Sequence, residues 1–487
     1  MEKAALLREN KELKRQLAQA NAELKEMRRL MFSGKTERHV PADTPEQLRL
    51  DFGAGAEESA EEVWVKSEQI TYTRNKKSHP KRKPLPDHLP VDEIIIEPSI
   101  DTKGLKKIGE DIVDKLDYRP GSLRIKRYIF PKYAVADGKG IQRGRIPVRP
   151  VPKIIAESGL LAHLISQKFI YHLPFYRQIE QLKDLYKVKL ARSSVNDWFA
   201  ACCTLMEPLY ERLKKKILES SYLQVDESPI QVQDENKVGK THRGYQWVYS
   251  APRLGLVLFE YQKGRGSNGP KKMLENYEGY VQTDGYGVYD KICKAKPITL
   301  LGCMAHCRRY FIKAKDSDGA KAQMALHYFR QLYAIERQIK ESGLDNDQTR
   351  QIRQENSKQI LEALYQWAEG EKENVLPKSP MGKAFYYLQQ QWPKLKVFLE
   401  DGQLEIDNNL VENSIRPLAL GRKNYLFAGS HPAAQRIAMM YSFFGTCQRH
   451  QVNPYEWLKA TLERLPEHPI NKIEELLPGK WVEQLEA

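Results

Sequence analysis

The sequence predicts a multidomain α/β protein: an N-terminal coiled coil, a small β module, a helical region, and an α/β domain with a long helical insertion. Three observations predict it. The 487 residues are more than one hydrophobic core usually holds. Apolar residues recur every seven positions at the start and alternate in short runs in the middle. Between about 311 and 400 the spacing becomes helical, with Ala325, Tyr328, Phe329, Leu332 and Ile335 on one face.

In residues 1–32, Leu6, Leu13, Ala20 and Met27 form one seam and Asn10, Leu17, Leu24 and Met31 the other. A stripe this narrow, with Asn10 to fix register, predicts self-association as a homodimer or higher assembly. Residues 33–90 read as a linker with a basic arm: an acidic run at 57–62, then a Pro-punctuated stretch that includes Lys81, Arg82 and Lys83 and suits phosphate contact. Residues 91–150 read as a small β module, with Leu123–Phe130 as one strand.

Residues 151–220 turn helical. Phe175–Tyr186 fits one helix, and Ser193 or Ser194 is placed to cap a second, giving a helix-turn-helix-like pair. From 221 to 311 the pattern is Tyr222–Val232, Tyr245–Ser250 and Leu254–Tyr261 as strands, a helix at Pro270–Tyr277, then strands Tyr280–Thr283 and Ile298–Leu301. That order is the one found in RNase H-like domains. Residues 312–400 are the helical insertion, with Pro393 expected to end or kink a helix after Trp392. Residues 401–450 return to the α/β domain with a helix bearing Glu412, and 451–487 form a C-terminal tail region.

A formal net charge of +15 favours a polyanionic partner. Six scattered Cys residues fit a reducing compartment better than a disulfide framework. The first residues lack the apolar stretch of a signal peptide, and no apolar run reaches membrane-spanning length, so no membrane association is expected.

Three acidic residues stand out by context. Asp226 interrupts an apolar strand, where a lone carboxylate is costly unless something pairs with it. Asp284 ends a strand ahead of Gly285 and Gly287, and the carboxyl ends of strands are where α/β sites form. Glu412 shares a helix face with Asn409 and Arg416. Mg²⁺ prefers oxygen ligands, and two such ions can activate the attacking oxygen and stabilise the leaving oxygen of a phosphodiester. Three carboxylates, two from strands and one from a helix, suit two Mg²⁺ ions, with Mn²⁺ as a substitute. Taken singly each acid reads as an ordinary structural group; the ordered set carries the argument. Glu227, Asp290, Asp407 and Glu405 rank below: alternation turns Glu227 to the opposite face, Asp290 lies too far past the strand, and Asp407 and Glu405 suit the helix start. Arg416, Arg422 and Lys423 follow Glu412 and are expected on DNA phosphates, with Asn409 on the same face as Glu412.

The run from Glu405 through Asp407-Asn408-Asn409-Leu410-Val411-Glu412-Asn413-Ser414-Ile415-Arg416-Pro417 to Gly429-Ser430 resembles the signature of the insertion sequence 66 transposases. Gly34-Lys35-Thr36-Glu37-Arg38, Pro84-Leu85-Pro86-Asp87-His88 and Asn453-Pro454-Tyr455-Glu456-Trp457-Leu458 extend the resemblance over nearly the whole chain. The resemblance implies cleavage at transposon ends and transfer of the freed 3′-OH to target DNA. It implies Asp226, Asp284 and Glu412 as the catalytic and metal-holding triad, double-stranded DNA as partner, accessory proteins of the same element, and a bacterial cytoplasmic, nucleoid-associated location. It also marks Cys303 and His306 as a supporting Cys-x-x-His pair, for which packing plus a polar contact is the expectation. No zinc is expected: the β module lacks the family's cysteines at 99–104 and 133–140, and Cys303 and His306 find no second pair. Two alternatives stand beside this reading: an RNase H-like nuclease or resolvase that cuts without joining, and a catalytically silent DNA-binding protein derived from a transposase.

Overall fold

The computed structural model describes residues 121, 123, 125–126, 132–134, 141–143, 148–152, 154–234, 239–294 and 296–486. The expected coiled coil at 1–32 and the basic arm with Lys81, Arg82 and Lys83 lie outside the described residues. Every element below belongs to the compact unit that contains residues 130–487.

A short antiparallel pair comes first, β1 (Lys132–Ala134) and β2 (Ile141–Arg143). The strand expected at Leu123–Phe130 is not found at Leu123, Ile125 or Lys126, which have no regular structure. Among the described residues of this region the pairing is found further on, where Tyr133 meets Gln142.

Three helices follow: α1 (Ser158–Phe169), α2 (Phe175–Tyr186) and α3 (Arg192–Ile217). Helix α2 has the expected bounds and ends on Lys187, whose left-handed φ of 58° stops the helix. Helix α3 corrects two expectations. It is a 26-residue helix rather than a short one, and Ala191, not Ser193 or Ser194, is its N-cap, without a side-chain bond. Its length comes from burial: Val195, Trp198, Cys202, Met206, Leu209, Leu213 and Ile217 form a continuous apolar stripe.

The centre is a five-stranded mixed sheet made of β3 (Tyr222–Gln233), β4 (Thr241–Ala251), β5 (Leu256–Gln262), β6 (Gly279–Gln282) and β7 (Ile298–Leu301). The order across it is β5-β4-β3-β6-β7. The first three strands are antiparallel, and β6 and β7 run parallel to β3. The expected strand series is therefore present, but the helix expected at Pro270–Tyr277 is only α4 (Asn268–Met273). Helix α5 (Val288–Cys293) links β6 to β7.

The helical stretch comprises α6 (Met304–Lys313), α7 (Gly319–Glu341), α8 (Asn346–Ile352), a π-helical turn (Arg353–Ser357), α9 (Lys358–Glu371) and α10 (Pro380–Leu395). Its core is built from Phe311, Phe329, Leu332, Leu361, Leu364, Phe385 and Leu388, and reaches Tyr222 and Leu301 of the sheet. Pro393 does not end α10 after Trp392; the helix runs to Leu395. Buried Leu388, Gln391 and Leu395 hold the last turn, and their packing outweighs the missing N–H.

The chain then returns to the sheet through α11 (Asn409–Tyr425) and α12 (His431–Arg449), followed by α13 (Pro454–Arg464) and α14 (Pro478–Glu486). Helix α11 packs on β3, and α12 covers the edge strand β5. On that edge Phe259 N donates to Ser442 Oγ (2.7 Å) and Val257 N to Thr446 Oγ1 (3.1 Å). Hydroxyls on a helix thus satisfy strand groups that would otherwise invite another chain. No helix of the described residues is long and apolar enough to cross a membrane.

Candidate active site

Side chains alternate along β3, so Gln224, Asp226 and Ser228 share a face. That face carries α11. Gln224 Oε1 accepts from Val411 N at 3.1 Å, and Ser228 Oγ accepts from Arg422 Nη1 at 2.9 Å. Asp226 lies between these two anchors, beneath the helix whose first turn bears Glu412.

Asp284 reaches the same place from β6. The parallel register sets Gln224 opposite Gln282, and each aspartate follows its glutamine by two positions. Beyond β6 the backbone turns at Gly285, with φ of +93°. Asp284 Oδ1 accepts from Tyr286 N (2.9 Å), and its carbonyl accepts from the Tyr387 hydroxyl (2.7 Å). A Cβ on Gly285 would stand 3.0 Å from that hydroxyl and 3.2 Å from Gln391. Gly285→Ala should therefore cost about 1–3 kcal/mol in backbone strain. It should also push Tyr387 off Asp284. Thermal unfolding and tyrosine fluorescence, measured on the same preparation, check both effects.

The electrostatics place the three acids in one field. Burial raises the Asp226 carboxyl well above its ordinary range, and the negative charge of Asp284 raises it further, followed by Glu227 and Glu412. Burial also raises Glu412, while the Arg309 guanidinium lowers it. Arg309 Nη2 lies 3.4 Å from both Glu412 carboxylate oxygens. His306 Nε2 stands 3.6 Å from Glu412 Oε1. Burial and then Arg309 push His306 down to about 4, so it is neutral near pH 7 and is a polar neighbour rather than an ion-pair partner.

The competing acids have other partners, although Asp226 also feels the Glu227 charge, and Glu227 that of Asp284. Glu227 accepts from Arg265 Nε at 2.7 Å, and Asp290 pairs with Lys394 at 2.6 Å. Asp407 serves the start of α11, accepting from Asn409 N (3.0 Å), Asn409 Nδ2 (2.8 Å) and the Tyr333 hydroxyl (2.8 Å). Glu405 meets the sheet through its backbone: its carbonyl accepts from Gln282 Nε2 at 2.9 Å. Cys303 is fully buried, and its Sγ accepts from Asn408 N at 3.4 Å. The Cys-x-x-His pair thus grips the start of α11 from the side of α6. Lys423 is exposed and Arg416 half-buried on α11. Arg422 is tied to β3 through Ser228 and the Pro229 carbonyl (2.6 Å), so neutralising it would loosen the seat of α11 as well as remove a charge.

Sequence reasoning missed Arg309, Tyr387, Gln224 and Gln282. Only the glutamines left a local signal, the repeated spacing in Gln224-Val225-Asp226 and Gln282-Thr283-Asp284.

Among the described residues no group of three or more His, Cys, Asp or Glu side chains is placed to hold a metal ion. The donor chemistry of Asp226, Asp284 and Glu412, carboxylate oxygens, is nonetheless the kind a hard divalent cation takes.

Residues 153–436, more than half of the chain, match the family described as Transposase IS66 family. The chain belongs to the IS66 transposase family. Residues 442–478 of this IS66 chain match the IS66 C-terminal element, and residues 19–94 match the family described as Transposase C of IS166 homeodomain. Three proteins of Sinorhizobium fredii are similar over most of their lengths. Uncharacterized protein y4jD is 30% identical, covering 82% of this chain and 81% of its own. Uncharacterized protein y4qI is 29% identical over 99% of this chain and 92% of its own. Uncharacterized protein y4hP is 27% identical over 94% and 88%.

Proposed function

We propose that the protein is a DNA transposase that cleaves DNA at transposon ends and joins the freed 3′-OH to target DNA. The observation that carries this reading is geometric: Asp226 and Asp284 each lie two positions past the paired Gln224 and Gln282 on neighbouring strands, and the helix whose first turn bears Glu412 is bonded to Gln224 through Val411 N. The strand order β5-β4-β3-β6-β7, with the Glu412 helix laid on β3, supports an RNase H-like catalytic domain formed by 221–311 and 401–450 around a helical insertion at 312–400.

Asp226, Asp284 and Glu412 would hold two Mg²⁺ ions, or Mn²⁺ in their place. When bound, these ions supply activation of the attacking oxygen and stabilisation of the leaving one. The chain's own residues prepare the site. Tyr387 and Gly285 fix the Asp284 turn, and Arg309 holds the Glu412 carboxylate in one orientation. Double-stranded DNA is the proposed partner. Lys423 and Arg416 stand on the helix that presents Glu412, and the basic arm at Lys81, Arg82 and Lys83 adds a further phosphate contact. Pairing through residues 1–32 would bring two DNA ends together.

The test is a cleavage and joining assay on a duplex carrying the DNA that flanks the coding region. Cleavage should require Mg²⁺ or Mn²⁺ and stop with chelator, and pre-cleaved ends should be joined to a second duplex. Cleavage without joining would favour the nuclease or resolvase reading. Binding with neither reaction would favour the silent DNA-binding protein.

A further inference from the structure

Two neighbouring strands carry the same pattern, Gln-x-Asp, at 224–226 and 282–284. Both glutamines are fully buried. A buried amide is costly unless every hydrogen-bonding atom finds a partner, and an apolar side chain of the same size would fill the space more cheaply. The partners found by these two amides are therefore informative.

Gln224 Nε2, with two N–H groups to donate, has three acceptors within reach: the Asp407 carbonyl (2.9 Å), Gln282 Oε1 (3.0 Å) and the Tyr222 hydroxyl oxygen (3.0 Å). Gln224 Oε1 accepts from Val411 N, the amide beside Glu412. Gln282 Nε2 donates to the Glu405 carbonyl (2.9 Å) and the Gly302 carbonyl (3.1 Å). The Tyr222 hydroxyl donates to Gln282 Oε1 (2.5 Å) and accepts from Glu405 N (3.3 Å). The orientation of the Gln224 amide is forced, because the Asp407 carbonyl can only accept and Val411 N can only donate.

The segment leading into α11 is thus held at 405, 407 and 411 by side chains two positions before each aspartate. One residue of slippage would rotate Glu412 by about 100° and move it about 1.5 Å along the axis. We propose that Gln224 and Gln282 are positioning residues: a buried amide brace that sets the register of the Glu412 helix against Asp226 and Asp284, and so the geometry in which the three carboxylates take up a divalent ion. This rests on the functional reading given above.

The experiment compares full-length wild type, Gln224→Met, Gln282→Met and Asp226→Asn on a duplex carrying the flanking DNA. Three quantities are read: the Mg²⁺ concentration for half-maximal cleavage, the affinity for the duplex in chelator, and the rise in melting temperature on adding Mn²⁺ without DNA. The brace predicts that each Gln→Met variant raises the half-saturating Mg²⁺ by about tenfold or more and loses most of the Mn²⁺-induced rise, with duplex affinity unchanged. A residue that merely supports the core would lower the melting temperature without moving the Mg²⁺ requirement, and that result overturns the proposal. If Gln224→Met does not fold, Gln282→Met decides, because it leaves the Val411 contact in place. Asp226→Asn separates the two failures. If it is inactive while both glutamine variants keep the wild-type Mg²⁺ requirement, the brace is wrong and the functional reading stands. If it cleaves as well as wild type, the functional reading falls and takes the brace with it.

Discussion

Asp226→Asn is expected to lower Mg²⁺-dependent DNA cleavage by about 10³-fold or more while leaving duplex binding equal or tighter. The substitution keeps the size and the hydrogen-bonding reach of the side chain, so the bond from Glu227 N at 2.7 Å has an acceptor as before. What disappears is the carboxyl group proposed to hold the cation, two positions past Gln224 on the strand beside that of Asp284. Whatever negative charge this carboxyl carries near phosphate is also removed, which is why affinity should not fall. Rates of strand cleavage and equilibrium binding in chelator, measured on the same duplex, separate the effects. A variant that still cleaves within tenfold of wild type would remove Asp226 from the chemistry.

Arg353→Ala is expected to destabilise the helical insertion by about 3–5 kcal/mol, the range for removing one partner of a buried ion pair. Arg353 is only 3% exposed and sits in the π-helical turn between α8 and α9. Its Nε and Nη2 donate to the two carboxylate oxygens of Glu336 at 2.9 and 2.6 Å. Its Nη1 donates to the carbonyls of Phe398 (3.1 Å) and Asp401 (3.2 Å). Alanine removes the donor from all four acceptor oxygens at once. Those carbonyls lie in the segment that leads into 405–411, so the loss should reach the site as well as the insertion. Denaturant unfolding should show a lower midpoint. The double change Arg353→Met with Glu336→Leu should recover part of the stability, because it leaves no carboxylate unpaired. Equal stability of Arg353→Ala and wild type would show that the pair is not structural.

The sequence by itself determined what local periodicity can encode. Strands β3, β6 and β7 were legible to within a residue or two because apolar residues alternate and Gly, Pro or Asn residues bound the runs. Helix α2 was legible for the matching reason at helical spacing. Asp226 was legible as a candidate because a carboxylate interrupts an apolar strand, Asp284 because it ends a strand before Gly285 and Gly287, and Glu412 because it shares a helix face with Asn409 and Arg416. Where local pattern competed with packing, the reading was less exact. The serines at 193 and 194 did not cap α3, α10 ran two residues past Pro393 rather than ending at Trp392, and the described residues of the 123–130 run, Leu123, Ile125 and Lys126, are not in a strand. Only the tertiary structure decided which distant groups meet. Arg309 reaches Glu412 across 103 residues of chain, and Gln224 reaches Val411 across 187. Such meetings depend on strand register and helix placement, which are set by the whole packed core: a side chain's type is local information, but its partner is not.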